Sequence, residues 1–208
     1  MTIEESKLIN FAVTMRNVRE ICVFAASSPR VDEKYMNAAY ELGREIALHG
    51  VVCVNGAGRE GLMHAVSDGA LDACGCTIGI IPEFMVDNGW EYDRMTEIII
   101  TKDMHSRKKA MIERSDAIVA LPGGCGTLEE LLEVITWKQL GLYKGAVVIC
   151  NIDGFYDSLL GMFDRCIHDS FMKESHARLW HVITKPGELF EVLDKINIVA
   201  DNNIESKY

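Results

Sequence analysis

The stretch from Leu121 to Thr127, Leu-Pro-Gly-Gly-Cys-Gly-Thr, sets three glycines just ahead of a run with helical spacing. Glycines between a buried strand and a helix let bare backbone N–H groups converge at the positive end of the helix dipole, where a phosphate is the natural guest. Gly123, Gly124 and Gly126 are therefore phosphate-binding candidates, with the Thr127 hydroxyl as a further donor. The alternative is that these glycines only permit tight turns with positive φ. Carboxylates follow at Glu129, Glu130 and Glu133. A carboxylate one turn into a phosphate-binding helix can reach a ribose hydroxyl. Thr127-Leu128-Glu129-Glu130 also has the form of a capping box, threonine at the N-cap and glutamate three residues on, so Glu130 reads as readily as a helix cap as a catalytic group.

A basic run precedes the loop. Arg107 and Lys108 sit near the start of a helix that feeds the strand ending at the glycines, and a cation there steadies a developing negative charge or a purine ring. The other reading of Arg107, Lys108, Lys109 and Arg114 is a solvated basic face. His105 can exchange protons near neutral pH, although an isolated histidine is commonly polar surface. Two further loops follow strands, Ala25-Ala-Ser-Ser-Pro-Arg30 and Asn55-Gly-Ala-Gly-Arg-Glu-Gly61. The first glycine loop lacks the lysine of the ATP-binding fingerprint, and the Asn55 loop has no acidic ribose-binding residue at the end of the next strand. A mononucleotide or sugar phosphate fits better than NAD or ATP. No GxSxG nucleophile elbow occurs, and the remaining histidines have no partner pattern.

The elements that must position these groups are legible as short apolar, β-branched runs at 21–24, 51–54, 77–81, 97–101, 117–121, 146–150 and 181–184. Helical spacing separates most of them, as in Tyr35, Ala38, Ala39, Leu42 and Ile46, or Leu128, Leu131, Leu132 and Ile135. Residues 82–95 interrupt the pattern with Gly, Asn and Pro, so the third crossover is expected to be a loop with little helix. Alternating strand and helix predicts an α/β, Rossmann-like, doubly wound parallel sheet of about seven strands with helices on both faces. Residues 1–208 are expected to form one domain, with residues 1–18 as an added N-terminal helix. In such a sheet, ligands sit outside the carboxyl ends of the strands.

Composition narrows the partners. The formal net charge of −10 gives no global basic field for nucleic acid or an anionic membrane. No apolar run approaches the ~18 residues of a membrane span, and no signal peptide is recognisable at the start, so a cytoplasmic protein is expected. Seven cysteines without a CxxC pair read as reduced core residues. Cys74-Gly-Cys76 lacks nearby companions for a zinc site, so no metal and no cofactor are expected.

The segments Met104-His-Ser-Arg-Lys-Lys-Ala-Met111, Ser115 to Gly141 and Asn55 to Leu71 resemble the Lonely Guy (LOG) family, cytokinin-activating phosphoribohydrolases often mislabelled as lysine decarboxylases. The resemblance runs from about Ile21 to at least Asp157, where Asn-Ile-Asp-Gly-Phe-Tyr-Asp also fits, and its PGGxGTxxE motif, Pro122 to Glu130, is highly specific. It implies hydrolysis of the N-glycosidic bond of a purine riboside 5′-monophosphate, cytokinin riboside monophosphate or AMP, to free base and ribose 5-phosphate, by a homodimer. It implies Arg107 and Glu130 as the catalytic pair, and Lys108, the loop from Gly124 to Glu130 with Glu129, and Thr136 as substrate contacts. Ser27, Gly56 and Gly58 in the other two loops join the substrate-binding candidates, and Glu83 lies near where relatives place a base-contacting acid. The chain departs from the family pattern at Ala26, Asn55, Ala57, His64 and Ser106, which bears on the shape of the first two loops. The competing expectation is a non-catalytic nucleotide-binding carrier or sensor of the same fold.

Overall fold

The computed structural model describes residues 18–196. The expected N-terminal helix over residues 1–18 lies outside them apart from its last residue. Seven strands, β1 (Glu20–Phe24), β2 (Val52–Asn55), β3 (Thr77–Pro82), β4 (Glu97–Thr101), β5 (Ala117–Ala120), β6 (Ala146–Cys150) and β7 (His181–Ile183), form one sheet in the order β4-β3-β2-β1-β5-β6-β7. Every neighbouring pair is parallel. Each strand falls on one of the seven apolar runs, with its ends displaced by at most one residue.

The runs are continuously apolar because both faces of the sheet are covered. In β1, Ile21 and Val23 enter a cluster with Leu42 of α1 (Glu33–Leu48), Val66 of α2 (Gly61–Asp72) and Leu189 of a C-terminal helix (Leu189–Lys195). Cys22 and Phe24, pointing the other way, pack with Met111 of a helix over Met104–Arg114, Leu131 of one over Cys125–Gln139 and Phe163 of one over Asp157–His168. In chain order the helices after α2 are α3 (Glu83–Asp87), α4 (Met104–Arg114), α5 (Cys125–Gln139), α6 (Asp157–His168) and α7 (Leu189–Lys195). The third crossover carries only the five-residue α3, in keeping with its broken pattern.

The order of strands decides where a ligand can sit. From β1 the chain steps outward through β2 and β3 to β4, then returns to lay β5 against the other side of β1. The connections leaving β1 and β5 diverge, and a crevice opens between them at the carboxyl ends.

Helices α1 and α2 approach until their backbones touch. A Cβ on Gly43 would lie 2.0 Å from the Val66 carbonyl oxygen, and one on Gly69 would lie 1.9 Å from that of Tyr40. Neither backbone can move without pulling Leu42 or Val66 out of the core. Overpacking of this kind typically costs about 1–3 kcal/mol. Gly69→Ala is therefore expected to lower the unfolding free energy by about 2 kcal/mol, read from urea denaturation midpoints; an unchanged midpoint would show that the helices separate freely.

Candidate active site

The crevice is an open cleft of about 730 Å³ outside the carboxyl ends of β1, β2, β3 and β5. This volume suits a nucleotide-sized ligand. All three loops singled out in the sequence reach it, through Ala25 to Ser28, Gly56 to Met63, and Gly124 to Thr127.

The glycine loop differs from its expected form at the helix start. Helix α5 begins at Cys125 with Gly124 as its N-cap, in extended conformation (φ −86°, ψ −156°) and with no side-chain cap. Thr127 is therefore the third helical residue, not the N-cap, and Glu130 stands in the second turn, so the capping box does not form. The physical reason lies in Gly123, where a Cβ would come within 2.1 Å of Thr127 Oγ1. The threonine side chain is folded back over the glycine and buried, which starts the helix earlier. Leu128 is the residue whose N–H donates to the Gly124 carbonyl, at 3.0 Å. The amides of Cys125, Gly126 and Thr127 precede it, in the first turn where N–H groups have no intrahelical acceptor.

The three glycines divide their work. A Cβ at Gly124 or Gly126 would point into open space, and both line the cleft, whereas Gly123 is a packing position beneath Thr127. None of the three takes positive φ, so a turn requirement does not explain them. Pre-positioning comes from below. Buried Tyr156 donates its hydroxyl to the Leu121 carbonyl at 2.7 Å, and its own N–H donates to Asn151 Oδ1 at 2.7 Å. The Asn-Ile-Asp-Gly-Phe-Tyr motif thus props the strand end from which the glycine loop departs.

Arg107 of α4 points into the cleft and is 6% exposed. Its Nε donates to the Ile80 carbonyl at 2.9 Å and its Nη2 to the Gly56 carbonyl at 3.2 Å. The seat exists because residue 56 has no side chain: a Cβ there would lie 1.8 Å from Nη2. Gly56 therefore admits the guanidinium, while Gly58 borders the cleft beside Met63. Arg107 Nη1 lies 3.5 Å from Glu130 Oε1, both side chains being buried. Burial pushes the Glu130 carboxyl up to about 7, against the opposing pull of Arg107 and with a further push from Glu129.

The other expected contacts fall into two groups. Ser27, Thr127 and Glu129 line the cleft. Lys108 does not; its buried ammonium pairs with Glu129 and lies 3.0 Å from Glu133 Oε2, behind the wall. Glu83 is exposed on α3 and Thr136 is exposed on the outer face of α5, where its hydroxyl donates to the Leu132 carbonyl at 2.8 Å. Neither borders the cleft of its own chain. The departures from the family pattern are accommodated: buried Asn55 accepts from the Ala57 N–H at 2.8 Å and donates to Ser67, holding Ala57 at φ 57° in place of a glycine. Sequence reasoning missed Arg59, Glu60, Met85, Trp90 and Met104 as cleft residues. Their only signal was position next to strand ends.

Known proteins give this geometry a family. A family model described as "Possible lysine decarboxylase" matches residues 63–193. The cytokinin riboside 5′-monophosphate phosphoribohydrolase LOG3 of Arabidopsis thaliana is 44% identical over 177 residues, 85% of this chain and 82% of that protein. LOG5 of the same plant is 39% identical over 186 residues, 89% and 82% of the two chains. The probable phosphoribohydrolase LOGL6 of Oryza sativa subsp. japonica is 39% identical over 183 residues, 88% and 73%. This chain belongs to the LOG family. Among solved structures, the molybdenum cofactor binding protein from Rippkaea orientalis superposes with a TM-score of 0.67 at 24% identity, over 87% of this chain and 98% of that one. The molybdenum cofactor carrier protein of Chlamydomonas reinhardtii gives 0.67 at 23% identity, over 88% and 99%. At that identity the likeness shows the shared fold. The motif Pro122 to Glu130 thus brings Gly124 to Thr127, Glu129 and Glu130 to the cleft.

The raised Glu130 carboxyl has a consequence for stability with a definite sign. Between the ordinary carboxylate range and pH 7 the folded state keeps a proton that the unfolded chain has released. Stability therefore falls as pH rises through this window, and the penalty is complete above it. Glu130→Gln removes the titration. Its stability relative to the parent is expected to grow between pH 5 and pH 8 by on the order of 2 kcal/mol, measured by urea unfolding at both values; a pH-independent difference would place the carboxyl in the ordinary range.

Proposed function

We propose that this LOG-family chain hydrolyses the N-glycosidic bond of purine riboside 5′-monophosphates, AMP or cytokinin riboside monophosphates, to free base and ribose 5-phosphate. The observation that carries the reading is the buried Glu130 carboxyl, 3.5 Å from the Arg107 guanidinium and one turn beyond the cleft-facing amides of α5. Breaking a C1′–N9 bond develops positive charge on the sugar and negative charge on the base. The amides and the Thr127 end of the loop anchor the 5′-phosphate. That anchor places C1′ next to Glu130, which as a carboxylate steadies the cationic sugar or orients the attacking water. Arg107 balances charge on the leaving base or the phosphate. Because the phosphate fixes the reacting carbon, a nucleoside without it is expected to lose turnover as well as affinity.

The description attached to the family model names a different reaction, and the residues do not fit its usual cofactor. A pyridoxal phosphate enzyme forms a Schiff base with a lysine. No lysine lines the cleft among the described residues, and Lys108 is turned into an ion pair with Glu129 and Glu133. The second reading, a carrier or sensor that binds AMP without cleaving it, takes its support from the shared fold of the molybdenum cofactor carriers. For assembly we adopt the homodimer, supported by the exposed apolar Leu132 beside Thr136 on the outer face of α5. For location we adopt the cytoplasm, supported by seven free thiols of which Cys22, Cys53 and Cys150 are buried. No helix of the described residues is long and apolar enough to cross a membrane.

Incubation with AMP and with isopentenyl-AMP, followed by chromatography, is expected to show free base from at least one of them. Glu130→Gln should lower turnover by on the order of 10²-fold or more, a loss typical of removing a charged catalytic group. Since the working form is the carboxylate, kcat/KM should rise with pH through about 7 and level off above it. Binding of AMP without release of base from any nucleoside monophosphate would decide for the carrier.

A further inference from the structure

Residues 88–95 form a strap fastened to the second glycine loop, and Trp90 in it lines the cleft. Gly58 and Glu91 pair as an isolated antiparallel bridge. The Arg59 N–H donates to the Trp90 carbonyl at 3.1 Å and the Tyr92 N–H to the Ala57 carbonyl at 2.8 Å. Side chains tie the same strap to α2. The Tyr92 hydroxyl donates to the Asp68 carboxylate, Arg94 Nη1 donates to it at 3.0 Å, and Arg94 Nη2 reaches Asp72 at 3.5 Å. His64 Nε2 lies 3.2 Å from the second Asp68 oxygen, and its ring meets Tyr92 edge-on at 4.7 Å. Burial raises the Tyr92 phenol to about 12, so it remains a donor across the working pH range.

All this fastening holds in place a residue that is itself half bare. Trp90 lines the cleft with 49% of its surface exposed, and Met63, Met85 and Met104 line the same cavity as the first turn of α5 and the Arg107–Glu130 pair, the Met104 sulfur lying 4.0 Å from Arg107 Nη1. Exposed large apolar side chains grouped around an opening mark a ligand-binding groove. An indole offers a flat face to a heteroaromatic ring, and methionine sulfur and methyl groups adapt to the ring edge and to substituents on it. We infer that Trp90 is the residue on which the base stacks, and that Tyr92, through Asp68, is its positioning residue.

This inference rests on the nucleotide reading above and reaches beyond it to the half of the ligand that the glycine loop does not touch. Trp90→Ala is expected to raise KM for AMP about tenfold or more while kcat and inhibition by ribose 5-phosphate each stay within about twofold, with Trp90→Phe restoring most of the affinity. Trp90 is half exposed, so the thermal midpoint should not move. AMP should quench the tryptophan fluorescence of the parent protein and not that of Trp90→Phe, and ribose 5-phosphate should quench neither. Tyr92→Phe should raise KM in the parent and add nothing in the Trp90→Ala background. An unchanged KM for AMP in Trp90→Ala, or an AMP quench that persists in Trp90→Phe, would overturn the stacking assignment, and a fully additive Tyr92→Phe would overturn the positioning one. The two readings fail separately: quenching by AMP that depends on Trp90, without release of base, supports the stacking wall and removes the hydrolysis.

Discussion

Arg107 brings a permanent charge to the ends of a parallel sheet, where it is 6% exposed. Removing a guanidinium from water costs several kcal/mol unless its donors are met with good geometry. The protein meets them with two backbone carbonyls, those of Ile80 and Gly56, and with the Glu130 carboxyl. Those partners come from β3, the loop after β2, and α5, while the arginine itself comes from α4. Four connections must therefore agree in position before the charge can be accommodated. The requirement explains why residue 56 has no side chain, and it couples the glycine loop after β2 to the helix after β5 through a single planar group.

The second constraint is the start of α5. A helix that opened with a side-chain cap would spend its first amides on that cap. Here the cap is Gly124, which has no side-chain acceptor, and the first-turn residues Cys125, Gly126 and Thr127 line the cleft. The hydroxyl that could have served as a cap, Thr127, is folded against Gly123. The strand end beneath is fixed independently, by the Tyr156 hydroxyl on the Leu121 carbonyl. The loop thus leaves the first turn of α5 without a side-chain cap at one end while its backbone is secured at the other, the arrangement the proposed phosphate anchor requires.

Much of this was readable in the chain because parallel strands covered on both faces leave an unmistakable trace, a run of apolar residues without alternation. Cys22 and Phe24 serve one core and Ile21 and Val23 the other, so neither face could be polar. The glycine loop and the placement of Arg107 and Glu130 at one cleft were also legible. The helix boundary was not: Thr-x-x-Glu is a local pattern that suits a cap, and what defeats it is the fit of Thr127 over Gly123, visible only in three dimensions. Arg107 and Lys108 could not be separated either. Adjacent helical residues face different ways, and only the fold shows that one turns to the cleft and the other to Glu129 and Glu133. Trp90 and Met85 were illegible for a different reason. Met85 stands on the five-residue α3 inside a broken pattern, and the place of Trp90 depends on bonds of residues 90 and 92 to Arg59, Ala57 and Asp68 that no periodicity announces.

The desolvation of Glu130 links stability to chemistry. Burial holds the Glu130 carboxyl up at about 7, even with a guanidinium at 3.5 Å. Arg107 pulls it down, but the desolvation of the buried carboxyl is the larger effect. The site therefore holds an unmet preference for one more positive charge beside Glu130. In the proposed hydrolysis a resting sugar would not supply it, whereas a sugar parting from its base would, so the interaction would strengthen along the reaction and not on binding, which is the condition for accelerating a step. The same burial that weakens the fold above the usual carboxylate range would, on the proposed reaction, make the carboxylate responsive to charge developing on C1′. Hydrating the pair would relieve the first and forfeit the second.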